Sequence, residues 1–106
     1  MWRNFVSECK VGYTLGLFEY DHDLKVRDLL EGVLQNPNGL EDSEEFCGLM
    51  AEVRLVDEEF RNVLNLGLEV KPDDRWWHRY LPVSGGEYLV EDALELYGVR
   101  IAESAA

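Results

Sequence analysis

Residues 42–67 read DSEEFCGLMAEVRLVDEEFRNVLNLG, and this stretch decides the fold. Asp42 stands where a helix cap would, and Glu45, three residues later, occupies the capping-box position. Phe46, Leu49, Met50 and Val53 follow at the i, i+3, i+4, i+7 spacing of one helical face. Continuing the same spiral carries Asp57 into the apolar stripe. A lone carboxylate is costly to bury, so the pattern predicts a bend or new turn capped by Asp57, after which Phe60, Val63 and Leu64 resume burial. Gly67 suits the position just past a helix end. The region is amphipathic and helical.

The same periodicity extends to both sides. Upstream, Asp21-His22-Asp23 reads as a break and cap, then Val26, Leu29, Leu30 and Val33 form a second apolar stripe, and Asn36-Pro37-Asn38-Gly39 ends it with turn chemistry. The first twenty residues have two readings. Trp2, Phe5, Val6, Cys9, Tyr13, Leu17 and Tyr20 share one helical face, whereas residues 11–18 also alternate as a strand would. Helix is favoured, although Gly12 and Gly16 would cost it about 1 kcal/mol each. Downstream, Leu68-Glu69-Val70 reads as a short extended piece and Lys71-Pro72-Asp73-Asp74 as a turn. A short helix then carries Trp76, Trp77 and Tyr80 and stops before Pro82. Ser84-Gly85-Gly86 reads as a loop. Glu87–Tyr97 is the cleanest helix, with Leu89, Ala93, Leu96 and Tyr97 inward, Glu87, Glu91 and Glu95 outward, and Gly98 closing it.

The expected architecture is mainly α: a compact single-domain bundle of about four to five helices over residues 1–106. A short β element is left open near the N-terminus or at 68–70, and the tail 102–106 is expected to fray. Hydrophobic residues make up 46 % of the chain, enough for a substantial core. Cys9 and Cys47 both fall at apolar-periodic positions and read as small buried hydrophobes rather than a disulfide. No uninterrupted apolar leader and no run of about 18 apolar residues is present, so a cytoplasmic location without membrane contact is expected.

Charge narrows the function. Twenty-two acids oppose ten bases, a formal net charge of −12, and Glu41–Glu69 alone holds nine acids and two bases. Such density repels nucleic acid and anionic membrane and attracts basic protein surfaces. Carboxylates at helix starts are partly explained by the helix dipole, but the excess here goes beyond what two helix starts need. Trp76 and Trp77 point about 100° apart on a helix, so one is expected in the core and the other partly exposed. Trp and Arg dominate interface energetics, which makes Trp77 and Arg79 possible anchors. The Asp21-His22-Asp23 run lacks the convergent geometry a metal requires. Ser84-Gly85-Gly86 lacks a phosphate-binding lysine and is followed by acids. No catalytic spacing joins His22 or His78 to either cysteine, so no catalytic residue, metal or cofactor is expected.

Small size, acidity and an aromatic cluster, carried by the runs Trp76–Pro82 and Glu87–Leu94, together resemble the immunity proteins of bacterial polymorphic toxin and contact-dependent inhibition systems. The likeness is one of class, spans the chain loosely and carries no individual residue over. It implies a non-enzymatic acidic protein that docks on a basic toxin domain, such as a nuclease. The partner-binding candidates are Asp42, Glu44, Glu45, Asp57, Glu58, Glu59, Trp77 and Arg79. Two other readings stay open: a phage-type DNA mimic that blocks a host nucleic-acid-binding protein, and a helical structural or adaptor subunit.

Overall fold

Five helices account for most of residues 1–104, the part of the chain that the computed structural model describes. They are α1 (Trp2–Val11), α2 (Leu17–Gln35), α3 (Glu44–Val63), α4 (Trp76–Arg79) and α5 (Glu87–Tyr97), accompanied by two short parallel strands, β1 (Ser84–Gly85) and β2 (Ala102–Glu103). The mainly helical expectation holds.

The N-terminal stripe is divided rather than continuous. Trp2, Phe5, Val6 and Cys9 bury one face of α1, and the helix stops at Gly12, whose φ of 129° L side chains rarely adopt. A Cβ at Gly12 would also strike the Ser104 side chain. Residues 12–16 form an irregular link, neither helix nor strand, that drops the Tyr13 ring into the core.

Helix α2 then runs through Asp21-His22-Asp23 without the expected break. Its start lies upstream, where the Leu17 amide donates to the Asp92 carboxylate of α5 at 2.9 Å. The aspartates read as caps are used sideways instead. Asp23 accepts from the Tyr13 hydroxyl at 2.6 Å, and Asp21 lies 3.9 Å from Lys71.

Helix α3 is capped by Ser43, whose hydroxyl accepts from the Phe46 amide, and not by Asp42. It passes straight through Asp57 to Val63, so the predicted bend is absent, and it ends near Leu64 rather than at Gly67. Residues 68–70 form no strand, although the Val70 amide donates to the Arg79 carbonyl. The strands arise where a loop and a frayed tail were expected. The Ala102 amide donates to the Val83 carbonyl and the Ser104 amide to that of Gly85, while Ile101 is buried; residues 105–106 of that tail lie outside the described residues. Helices α4 and α5 appear as predicted, with Gly98 left-handed at φ 66°. Leu96, however, is 65 % exposed: Leu89 and Ala93 are the buried residues of α5, and Val90 and Tyr97 pack against the core beside them.

The core is aromatic and centred on α1. Phe5 lies 5.4–5.8 Å, centroid to centroid, from the rings of Trp2, Tyr13, Tyr20 and Phe60. Helix α1 packs against both α2 and α3. Arg3 pairs with Glu52 at 3.1 Å and Lys10 with Glu59 at 3.3 Å. The two pairs are seven residues apart on both helices, so α1 runs parallel to α3.

Lengths decide the outline. At 1.5 Å per residue α1 spans about 15 Å, whereas α2 and α3 each span about 30 Å. The two long helices and their connection therefore project beyond α1 as an arm. The extents of 45 × 28 × 22 Å and the radius of gyration of 14.8 Å reflect this, against roughly 13 Å for a compact chain of this length.

Candidate functional site

Where the arm leaves the body, buried charges join the elements. Asp57 was expected to cap a turn and face a partner; it is 6 % exposed and engaged inside the protein. Its Oδ1 accepts from Trp2 Nε1 at 3.0 Å and from Arg27 Nε at 2.9 Å, and its Oδ2 accepts from Arg27 Nη2 at 2.9 Å. The two-pronged guanidinium satisfies the carboxylate that the apolar stripe alone could not, which is why α3 continues unbent. Arg27 also donates to Glu31, and its guanidinium lies 4.2 Å from the centre of the Trp77 ring. Burial pulls the Arg27 pKa down, but its bonds to Asp57 and Glu31 outweigh that and leave it above the ordinary value. Glu31, held by Gln35 and Arg27, is shifted below the ordinary carboxylate value.

The next residue of α2 extends the network to α4. Asp28 Oδ1 lies 2.7 Å from both Trp77 Nε1 and His78 Nε2, and its Oδ2 accepts from Arg75 at 3.0 Å. Arg75 in turn grips Asp73 through its side chain and amide, which holds the Asp73 carboxyl well below its usual range. Trp77, expected as a possible partner anchor, is only 3 % exposed. Its indole N–H needs an acceptor once buried, and Asp28 supplies it. Trp76 is the less buried of the pair, with its ring beneath the Arg61 guanidinium at 4.1 Å. Arg79 is half-buried and donates to the Asp73 carbonyl.

Arg27 and Asp28 were not among the sequence candidates. One clue was available. Leu17, Tyr20, Leu24, Arg27, Glu31 and Leu34 alternate at +3 and +4 steps, so Arg27 occupies the inward stripe of α2 just as Asp57 occupies that of α3. Two opposite charges on two inward stripes are natural mates.

With Asp57 and Trp77 internal, the exposed candidates lie on the arm. Residues 28–53 contain seven acids and no Lys, Arg or His. Three of the seven are engaged: Asp28 with α4, Glu31 with Arg27, and Glu52 with Arg3. Glu41, Asp42, Glu44 and Glu45 are exposed and take part in no ion pair among the described residues. Lower on α3, Glu58 is exposed, while Glu59 is partly covered by Lys10. The structure therefore gathers Asp42, Glu44 and Glu45 at the arm's end and leaves Glu58, Glu59 and Arg79 apart from it.

Exposed apolar side chains accompany this acid. Leu29 and Val33 were both expected on the inward stripe of α2 and are exposed, Leu29 at 72 %; Leu40 is exposed as well. On another side of the arm, Leu30, Leu49, Val53 and Val56 line a groove of about 210 Å³, bounded by Met1, Trp2, Arg3 and Glu52.

The remaining chemistry is sparse. Both cysteines are free thiols; Cys9 is buried, which pushes its pKa well up, and Cys47 is exposed rather than buried as expected. Among the described residues no group of three or more His, Cys, Asp and Glu side chains is placed to hold a metal ion, and no helix is long and apolar enough to cross a membrane. The fold and its surface thus define a small, mainly helical domain with a projecting acidic arm. Comparison with known proteins finds no matching family model, no similar curated protein and no similar solved structure.

Proposed function

We propose that the chain is an acidic binding protein that docks through the end of its arm onto a basic protein partner, as an immunity protein docks on a cognate toxin domain such as a nuclease. The observation that supports it is the arm's composition: four carboxylates, at Glu41, Asp42, Glu44 and Glu45, in no ion pair among the described residues, with no base from Asp28 to Val53. Other exposed acids, such as Glu87, Glu91 and Glu95 of α5, also lie outside any ion pair among the described residues, but at the arm's end four crowd into the five positions 41–45. Like charges placed together cost stability through repulsion, and a cationic surface would relieve that cost. Charge complementarity accelerates encounter, and the adjoining apolar side chains would slow dissociation.

The test is to capture the binding protein from source cells and measure association rates across salt. A cytotoxic basic domain is expected, with growth restored when the two are co-expressed and association slowing steeply as salt rises. Reversing Glu41 and Glu44 to Lys should slow association about tenfold. Association that ignores both salt and these reversals would overturn the reading. Recovery of a host nucleic-acid-binding complex would favour a DNA mimic instead.

A further inference from the structure

The arm has a repeating feature that the body uses only in part. Glu45, Glu52 and Glu59 stand seven residues apart on α3 and so share one face of the helix. Glu59 pairs with Lys10 and Glu52 with Arg3, the two bases being themselves seven apart on the parallel helix α1. Glu45, one step further out, is exposed and pairs with nothing among the described residues. Helix α1 begins at Trp2, alongside the middle of α3, so Glu44–Met50 continue past it for about 10 Å.

The apolar surface continues in the same direction. Helix α1 fills the space between α2 and α3 with Trp2, Phe5, Val6 and Cys9. Beyond its first turn that space opens as the groove between Leu30 of α2 and Leu49 and Val53 of α3. A helix lying end to end with α1 would meet the surroundings α1 itself meets: an apolar floor, and a glutamate on α3 awaiting a base.

We propose that this groove receives a short basic amphipathic helix of the protein partner, about two to three turns long, with apolar residues against Leu30 and Leu49 and a Lys or Arg on Glu45. The assignment rests on the acidic-docking function proposed above and names the element recognised. Amphipathic helices laid into apolar grooves are a common mode of recognition, and the exclusively acidic arm selects a basic one.

The probe is a synthetic helical peptide of about fourteen residues, with Leu at helical spacing and Lys at heptad spacing, titrated into the full chain. Oligolysine and a Glu-for-Lys version of the peptide serve as comparisons, and binding is read from backbone amide shifts. The basic peptide is expected to move the resonances of Leu30, Leu49 and Val53, and the acidic version is not. Glu45→Lys should weaken binding about fivefold, and Leu49→Ser should weaken it further while helicity is retained. Equal binding to Leu49→Ser, or shifts confined to residues 41–45 with oligolysine as effective as the peptide, would overturn the groove while leaving the acidic-docking function standing. Binding of neither the peptide nor oligolysine would overturn both. Groove shifts that grow with protein concentration alone would show a second copy as the occupant and overturn the proposal.

Discussion

Replacing Arg27 with methionine should remove a large fraction of the protein's stability. Met keeps much of the side-chain length and none of the charge. In the folded state Arg27 meets both oxygens of Asp57 at 2.9 Å, donates to Glu31 and covers the Trp77 ring. Both members of the pair are nearly excluded from solvent, with side-chain exposures of 5 % and 8 %. Arg27→Met leaves the Asp57 carboxylate buried with only the Trp2 indole N–H as a partner. Breaking such a pair by removing one member costs about 3–5 kcal/mol. A domain of this size is held by about 5–15 kcal/mol in all. The expected fall in Tm is about 15–20 °C. Asp57→Leu should cost somewhat less, because the stranded Arg27 keeps Glu31 and Trp77. The double variant should be more stable than Arg27→Met alone, since it leaves no isolated buried charge and orphans one indole N–H at about 1 kcal/mol. Urea unfolding followed by circular dichroism measures all four members of the cycle. A loss below about 1 kcal/mol for Arg27→Met, or a double variant that loses the sum of the singles, would refute the account of Asp57 as a buried charge satisfied from α2.

Three further predictions concern separate parts of the fold. Asp92→Ala removes the acceptor of the Leu17 amide and should cost about 1 kcal/mol, the usual value of a helix N-cap, in thermal unfolding. In the native state a thiol reagent should modify Cys47 at once and Cys9 only on unfolding; two fast thiols would contradict the burial of Cys9. Acid should weaken the Arg27–Glu31 contact in a defined direction. Because Glu31 titrates below its ordinary value of 4.5 in the folded state, its contribution is present above that value and is lost as pH falls through the folded one. The stability difference between the wild type and Glu31→Gln, about 0.5 kcal/mol near neutrality, should vanish in acid, whereas burial raises Asp21 and gives it the opposite slope.

Local chemistry made the helices legible. Glu87–Tyr97 followed by Gly98, and the Trp76–Arg79 turn ahead of Pro82, need only periodicity and stop signals a few residues apart. The acidity of the arm was legible for the same reason, because charge is a count along the chain. Partners distant in sequence were not. Asp57 reads as a helix breaker until Arg27, thirty residues away, and Trp2, fifty-five away, are brought to it. Asp21-His22-Asp23 reads as a cap until Asp92, from the far end of the chain, takes over the start of α2. The tail reads as frayed until Val83 and Gly85 supply carbonyls for the amides of Ala102 and Ser104.

By itself, then, the sequence determined a mainly helical protein with an excess of acid centred on α3. Tertiary structure decided which acids are spare. It drew Asp57 and Trp77 inward and left Glu41, Asp42, Glu44 and Glu45 exposed at the end of an arm. The physical reason is that a buried charge is tolerable only beside its counter-charge. Spacing along one helix shows which way a side chain points, and only the packing of another helix shows what it meets there.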